Sequence, residues 1–201
     1  MPITWTPTID RALAVAARCH EGQTRKDDPT PYIVHPVAVA MIVSDFTNDE
    51  DVMVAAILHD VLEDVPPSVY SAGDMTAEFG ARVTELVRGV SEEKTAGEET
   101  PPWRVRKEGY LRALAEDSEE CLLISAADKI HNLRSMVAAH GRLGDGMWDV
   151  FNAGPAEKLW FYGAIADTVG QRLGDCEVSR QLRAAVDEVA ALAPEGGASH
   201  G

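Results

Sequence analysis

The fold is decided by residues 55–64, AAILHDVLED, where an apolar run leads directly into His59, Asp60, Glu63 and Asp64. The apolar part of such a run is expected to be buried. If the run is helical, His59 lies one turn from Glu63 and Asp60 one turn from Asp64, so an imidazole and three carboxylates face one region. Carboxylates crowded in a poorly hydrated site repel one another, which raises their pKa values unless a cation neutralises them. A divalent metal is the simplest such cation.

Two further polar residues stand at the edges of apolar stretches. His35 follows Tyr32-Ile33-Val34, and Asp128 lies within residues 125–132, SAADKIHN. With His59 and Asp60 they supply two imidazoles and two carboxylates. This mixed set suits manganese, iron, zinc or another first-row ion and argues against a structural zinc site made of thiolates. An adjacent His-Asp pair is weak evidence alone, but H-D-x-x-E-D followed by D-K-x-x-N is far more specific.

With these motifs the sequence resembles the HD-domain metal-dependent phosphohydrolases. Within them it resembles the hydrolase domain of the RelA/SpoT alarmone enzymes, especially the small stand-alone hydrolases of the metazoan SpoT homologue type. The similarity covers about residues 9–169, and its matching segments occur in the family's order: residues 25–26, 30–36, 59–64, 79–80, 86–90 and 127–134. The resemblance implies an all-α fold and hydrolysis of (p)ppGpp at the 3'-pyrophosphate, which gives GDP or GTP and pyrophosphate. It also implies a divalent metal cofactor, with Mn²⁺ as the expected ion.

The resemblance also suggests roles for the residues around the metal. His35, His59, Asp60 and Asp128 are the expected ligands, which leaves coordination positions for water and a phosphate oxygen. Glu63 and Asp64 are expected beside the attacking water as catalytic carboxylates. Either of the two can be the base.

Substrate-binding residues are expected in three further segments. Arg25 and Lys26 lie in the family's nucleotide-binding loop, where a guanidinium can stack on a purine or ribose and an ammonium can meet phosphate. The other expected residues are Asn132, one turn after Asp128; Lys158 and Tyr162, one turn apart; and Arg104, with Arg106 and Lys107, after an acidic loop. A solvated helix start is an equally good reading of residues 104–107, and Lys158 stands where relatives can have the bidentate Arg. At helical spacing His131 points away from Asp128, which favours a packing or surface role over a fifth ligand.

Other functions are compatible with the same metal site. The substrate can instead be an adenosine alarmone or another nucleotide such as NADPH, or the chain can be a general nucleotide phosphomonoesterase. Arg25-Lys26 and Glu63-Asp64 favour the alarmone branch over the last of these. A nucleotide sensor without turnover would be indicated by loss of a ligand or of Glu63-Asp64, and the sequence retains all of them.

Composition sets the remaining expectations. A chain of 201 residues that is 45% hydrophobic predicts one domain over residues 1–193 and a disordered tail over 194–201, without room for a synthetase domain. The net charge of -15 argues against nucleic acid or an anionic membrane as a partner. Without an apparent membrane span or signal peptide, the chain is expected to be cytoplasmic, with Cys19, Cys121 and Cys176 reduced. The oligomeric state is left open, a homo-oligomer included.

The hydrophobic periodicity predicts an all-α bundle of about eight to ten helices. A polar loop is expected over 21–30, an acidic mobile loop over 92–102 and a glycine turn over 141–146. The His-Asp helix is expected to run without a break from Asn48–Asp51 to Pro66. The other helices are predicted over residues 8–20, 36–46, 72–79, 81–90, 105–115, 119–140, 157–173 and 178–192.

Overall fold

The computed structural model describes residues 5–26, 29–92, 101–150 and 153–194. The regular secondary structure in these ranges is helical, as predicted, apart from an isolated β-bridge between Thr24 and Pro31. The helices in the described ranges are α1 (Pro7–Cys19), α2 (Val34–Ser44), α3 (Glu50–Leu58), α4 (Val61–Asp64), α5 (Ala72–Phe79), α6 (Ala81–Val90), α7 (Trp103–Glu116), α8 (Glu119–Leu143), α9 (Pro155–Leu173) and α10 (Glu177–Ala190), with a 3-10 helix (Gly144–Val150) before α9.

Helix α3 lies at the centre of the bundle. Each of its residues 52–58 is at most 4% exposed, and α1, α2, α6 and α8 pack around it. A helix that is apolar on all sides is stable only inside a protein, which explains this position. The 25-residue α8 also contacts α2, α6, α9 and α10. The packing of α8 on α2 and α3 brings the middle of α8 close to the end of α3.

Short polar side chains fix where several helices begin. Thr6, Asp49, Ser71 and Ser118 each accept a hydrogen bond from a backbone N–H in the first turn of α1, α3, α5 and α8, respectively. Such caps each contribute about 1 kcal/mol to helix stability. The cap at Ser118 also sets the start of the helix that carries Asp128.

The helix expected to run through His59 and Asp60 is broken at these residues, so that prediction is wrong. Helix α3 ends at Leu58, and α4 starts only at Val61. Asp60 has φ -91° and ψ -8°, which lies in the sparsely populated bridge region. In an unbroken helix neighbouring side chains point about 100° apart. The break instead leaves His59 Nε2 and Asp60 Oδ2 3.0 Å apart.

The connection between α1 and α2 is the predicted polar loop, and its described residues are held by backbone hydrogen bonds. The Arg25 N–H donates to the Thr30 carbonyl, and the Tyr32 N–H donates to the Gln23 carbonyl, both at 2.9 Å. These bonds fix Arg25 and Tyr32 next to the start of α2.

Several element boundaries differ from the prediction. Helix α8 continues to Leu143 and is followed by a 3-10 helix where a turn over 141–146 was expected, and α7 begins at Trp103 instead of Val105. Residues 93–100 of the expected loop and 195–201 of the expected tail lie outside the described residues. Cys19, Cys121 and Cys176 are free thiols. None of the helices in the described part of the chain combines the length and apolarity needed to cross a membrane.

Candidate active site

A cluster of imidazoles and carboxylates forms where α2, α8 and the α3–α4 junction meet. His35, His59 and Asp128 each offer one ligand atom, and these atoms lie within 4.8 Å of one another. Asp60 Oδ2 lies 3.5 Å from His35 Nε2 and 3.0 Å from His59 Nε2. The structure therefore brings together the four residues predicted as metal ligands.

The outer ring nitrogens of both histidines have partners, while the inner ones face the cluster. His59 Nδ1 lies 2.8 Å from the Ala56 carbonyl, so it carries the proton and donates. His59 Nε2 is buried and makes no well-aligned hydrogen bond among the described residues, although Asp60 Oδ2 lies 3.0 Å from it. His35 Nδ1 lies 2.8 Å from His131 Nδ1. A buried imidazole held through one nitrogen, with the other aimed at carboxylates, fits a metal ligand.

Without a metal, a proton on His59 balances the carboxylates. Burial opposes protonation of His59, but Asp60 and Asp128 outweigh it and raise its pKa to about 9. Burial by itself would raise the pKa of Asp60, yet the nearby His59 and His35 hold it below the usual range. Crowding therefore does not raise the pKa of Asp60, because an imidazolium serves as the neutralising cation. Burial lowers the pKa of His35.

Asp128 is oriented by neighbours on its own helix. Lys129 forms an ion pair with Asp128 Oδ2, and Asn132 donates to Asp128 Oδ1 at 2.5 Å. Although burial raises the pKa of Asp128, Lys129 and His35 keep it well below its usual value. Asn132 also accepts a hydrogen bond from Arg25 at 2.8 Å. The predicted substrate residues Arg25 and Asn132 are thus connected to the metal cluster.

Glu63 and Asp64 border a cavity beside the cluster. The Tyr32 hydroxyl donates its one proton to Asp60 Oδ2 at 2.6 Å, and Asp64 Oδ2 lies 3.4 Å from the same hydroxyl. Glu63 Oε2 accepts a hydrogen bond from the Glu92 N–H at 2.9 Å. Both predicted catalytic carboxylates therefore have fixed positions next to the cluster.

The cavity has a volume of about 600 Å³ and is lined by six cationic residues near the His/Asp cluster. Its cationic residues are Arg25, Lys26, Arg106, Lys107, Lys129 and Lys158. Burial and the crowding of Lys26, Lys107 and Lys129 lower the pKa of Lys158 to about 8. Although the chain carries a net charge of -15, this cavity is built to receive an anion.

Aromatic side chains supply the apolar part of the cavity wall, namely Tyr32, Trp103, Tyr110, Phe161 and Tyr162. Burial raises the pKa of Tyr162 to about 12, so its hydroxyl remains a hydrogen-bond donor at neutral pH. Flat rings beside cations suit a ligand that combines an aromatic base with phosphates.

Among the predicted site residues, Arg104 alone lies neither in the cluster nor on the cavity wall in the described structure. Its guanidinium carbon lies 3.2 Å from the centre of the Trp160 ring, and it pairs with Glu108 and Glu157, both at 3.1 Å. A phosphate contact by Arg104 stays a prediction. Arg106 and Lys107, from the same segment, do reach the cavity.

The sequence did not identify several residues that the site uses. His131, interpreted as a packing or surface residue, instead contacts His35. Tyr32 and Lys129 belong to the sequence motifs that contain the predicted ligands, so their place in these motifs is a signal from which a role in the site could be predicted. Glu92 belongs to an acidic run, and nothing in the sequence distinguishes it from its neighbours.

The chain is similar in sequence to a known protein family and to several curated proteins. The HD domain family model matches residues 12–152. The bifunctional (p)ppGpp synthase/hydrolase SpoT of Escherichia coli K12 is 39% identical over 135 residues, which cover 64% of this chain and 18% of that protein. A GTP pyrophosphokinase of Streptomyces coelicolor is 40% identical over 130 residues, covering 64% of this chain and 14% of that protein. This chain thus spans less than a fifth of the length of these curated relatives.

A solved structure resembles nearly the whole chain. It is that of a metazoan ortholog of SpoT that hydrolyzes ppGpp and plays a role in starvation responses. The two structures have a TM-score of 0.74 and 27% sequence identity, and the match covers 92% of this chain and 97% of the other.

Proposed function

The chain belongs to the HD domain family, and from this we propose that it is a metal-dependent phosphohydrolase acting on the alarmone (p)ppGpp. The reaction adds water, breaks the bond between the ribose 3' oxygen and its diphosphate, and releases GDP or GTP and pyrophosphate. The observation that carries this proposal is a single cavity with a His/Asp cluster and two carboxylates on one side and six cationic residues around it. The names of the similar proteins support the choice of substrate.

The proposed metal ligands are His35, His59, Asp60 and Asp128, and we propose Mn²⁺ as the ion. Two imidazoles and two carboxylates suit a first-row divalent metal. When bound, such an ion lowers the pKa of a water molecule and neutralises charge on a phosphate. The orientation of His59 supports this assignment, because its Nδ1 bonds the Ala56 carbonyl while its Nε2 faces Asp60 and Asp128.

Protein side chains then position the water and the substrate. We assign Glu63 or Asp64 to accept a proton from the attacking water, because both line the cavity beside the cluster. The Glu92 N–H holds Glu63 through a hydrogen bond, and Asp64 Oδ2 lies 3.4 Å from the Tyr32 hydroxyl. Fixing these carboxylates before the substrate arrives removes an entropic cost from the reaction.

The remaining walls of the cavity account for binding of a nucleotide. Arg25, Lys26 and Lys158 supply charge for the phosphates, and Tyr162 offers a ring and a hydroxyl to the nucleoside. Asn132 holds Arg25 in place through a 2.8 Å hydrogen bond. The proposal thus has a small nucleotide in the cytoplasm as partner, and neither nucleic acid nor a membrane.

Product analysis by ion-exchange chromatography tests this function. The full chain, stripped of metal, is incubated with ppGpp with and without Mn²⁺, and we expect GDP and pyrophosphate only with the metal. Asp60→Asn is expected to lose both metal binding and turnover, whereas Glu63→Gln keeps the metal and loses turnover. If ppGpp survives, the substrate assignment is wrong, and adenosine alarmones and NADPH are the next substrates to assay. Full activity of Glu63→Gln would instead transfer the base role to Asp64.

A further inference from the structure

The carboxylate of Glu92 lies on the wall of the cavity, beside two of its cationic residues. Its side chain is only 6% exposed, and it forms ion pairs with both Arg106 and Lys107. The Glu92 N–H bonds Glu63 Oε2 at 2.9 Å, so this carboxylate is next to a candidate catalytic base. An acidic side chain thus occupies two cations at the reacting end of an anion-binding cavity.

Glu92 satisfies these two cations incompletely. The Arg106 Nε–H is buried and has no hydrogen-bond partner among the described residues, because Glu92 meets Nη1 only. Burial lowers the pKa of Lys107, and the nearby Lys129 lowers it further while Glu92 opposes the change. A phosphate group presents three oxygens and more charge than a carboxylate, so it can bond both edges of the guanidinium and the ammonium together.

We propose that Glu92 is an internal competitor of the substrate: its carboxylate occupies Arg106 and Lys107, and a phosphate group of the bound nucleotide displaces it from them. The inference rests on the proposed function for the identity of the ligand, whereas the contact of Glu92 with the two cations is observed in this structure. It makes Glu92 a specificity-determining residue. A ligand whose phosphate reaches Arg106 and Lys107 must displace Glu92 to bind them. A ligand whose phosphate is too far away leaves Glu92 in place and gains no contact with the two cations.

Competition by Glu92 lowers the affinity of the protein for a phosphate ligand. When only the fraction of molecules with free Arg106 and Lys107 can bind, the apparent dissociation constant rises by the inverse of that fraction. Glu92→Gln keeps the size and polarity of the side chain and removes its charge. It is therefore expected to bind inorganic pyrophosphate about 5- to 20-fold more tightly than the wild type, the range set by losing a charge-assisted contact.

Binding of inorganic pyrophosphate, measured by isothermal titration calorimetry, tests this inference. The full chain is kept free of divalent metal by a chelator, so that pyrophosphate does not bind metal in solution. Glu177→Gln is the matched control, because Glu177 also pairs with an arginine, at 3.0 Å from Arg180, but on the exposed surface. This control removes the same charge and is expected to bind pyrophosphate as the wild type does.

A second substitution shows where the gain arises. Adding Lys107→Met to Glu92→Gln is expected to abolish the tighter binding, because the released cation is then missing. Thermal unfolding gives an independent measurement. Without ligand, Glu92→Gln should have a lower melting temperature than the wild type, since two cations lose their partner. On adding pyrophosphate, its melting temperature should rise by more than that of the wild type.

Two results would overturn the inference. Weaker binding of pyrophosphate by Glu92→Gln than by the wild type would contradict it, since Glu92 would then be a residue that positions Arg106 and Lys107 for the ligand. Equal binding by the two proteins, including no binding by either, also contradicts it. Because the readout is binding of pyrophosphate, it is separate from hydrolysis of ppGpp. Tighter binding by Glu92→Gln without ppGpp hydrolysis would leave the inference standing and remove the proposed function.

Discussion

At the scale of single residues, His131 lies outside the His/Asp cluster but contacts one of its predicted ligands, His35. Burial, His35 and Arg25 lower the pKa of His131 to about 4, so its ring is neutral at physiological pH. When His35 Nδ1–H donates a hydrogen bond to His131 Nδ1, 2.8 Å away, His35 Nε2 keeps a lone pair for the metal. We predict that His131→Phe lowers Mn²⁺ affinity about tenfold, measured by calorimetry.

Two variants check that the lost hydrogen bond is the cause. His131→Asn retains an acceptor and is expected to recover part of the affinity. His140→Phe, also on α8 but paired with the exposed Asp145 at 3.6 Å, is expected to bind Mn²⁺ normally. Wild-type affinity in His131→Phe would show that His35 does not depend on this contact.

Lys158 is a cavity residue whose charge changes near neutral pH. Burial and its cationic neighbours lower its pKa to about 8, against 10.5 for an unperturbed lysine. Below pH 8 the folded protein carries the charge that an anionic substrate needs, and above it this charge is lost. We therefore predict that KM for ppGpp rises as the pH passes from 7 to 9, as measured by initial rates. Between the two pKa values the unfolded chain binds a proton that the folded chain lacks, so this group makes the free energy of unfolding rise with pH.

Substitution of Lys158 isolates its titration from that of other groups. Lys158→Arg stays charged throughout, so its KM should lose the alkaline rise, whereas Lys158→Met should have a high KM at every pH. If Lys158→Arg keeps the wild-type profile, another group is responsible for the pH dependence.

At the scale of elements, local sequence signals predicted the helices but not the break on which the site depends. Helices α5 and α6 are found as predicted on either side of Gly80, whose φ of +90° favours glycine. No such signal precedes the break after Leu58, because every residue there is compatible with a helix. Contacts from other parts of the chain, the Tyr32 hydroxyl and His35 Nε2, meet Asp60 at the break. Such tertiary contacts are not readable from local periodicity.

The contact between α6 and α8 depends on the lack of a side chain at Gly89. A Cβ at this position would lie 2.7 Å from Cys121 Sγ and 3.1 Å from Asp117 Oδ1. Alanine is the better helix former by about 1 kcal/mol, yet overpacking a buried contact costs about 1–3 kcal/mol. We predict that Gly89→Ala lowers the free energy of unfolding by about 1 kcal/mol, measured by urea denaturation.

A glycine in α9 provides the matched control. A Cβ at Gly163 would have no atom of another residue within 4 Å, so Gly163→Ala is expected to stabilise the protein by about 0.5–1 kcal/mol. Replacing Cys121 with Ala should restore part of the stability of Gly89→Ala. Equal effects of the two glycine substitutions would show that helix propensity, and not this close approach, determines the result.

At the scale of the whole molecule, the types of ligand were predictable, whereas the distribution of charge was not. The predicted ligands are polar residues at the edges of apolar runs, a pattern visible in the sequence. The same pattern does not distinguish Arg104, Arg106 and Lys107 from one another. The rotation of α7 about its axis decides which of these side chains face the cavity. Arg104 turns outwards to Glu157, while Arg106 and Lys107 turn inwards to Glu92. That outcome depends on how α7 packs against α9, which requires the complete fold.

The cluster joins segments that are distant in the chain, so metal binding should stabilise the entire fold. An ion that binds only the folded protein adds about 2.7 kcal/mol at a concentration 100 times its dissociation constant. For a chain of this size that corresponds to a rise in melting temperature of about 5–10 °C. We predict this rise on adding Mn²⁺ to chelator-treated protein, measured by differential scanning calorimetry.

Two protein variants distinguish binding of Mn²⁺ at the cluster from nonspecific binding of cations to an acidic protein. Asp128→Asn removes a predicted ligand and should lose the rise, whatever its own melting temperature. Asp175→Asn removes the same charge from an exposed carboxylate that pairs with Arg180 at 2.8 Å, and should keep the full rise. An equal rise in all three proteins would mean that Mn²⁺ acts through the net charge of -15 and not through the cluster. No rise in the wild type would mean that the four residues do not bind this ion.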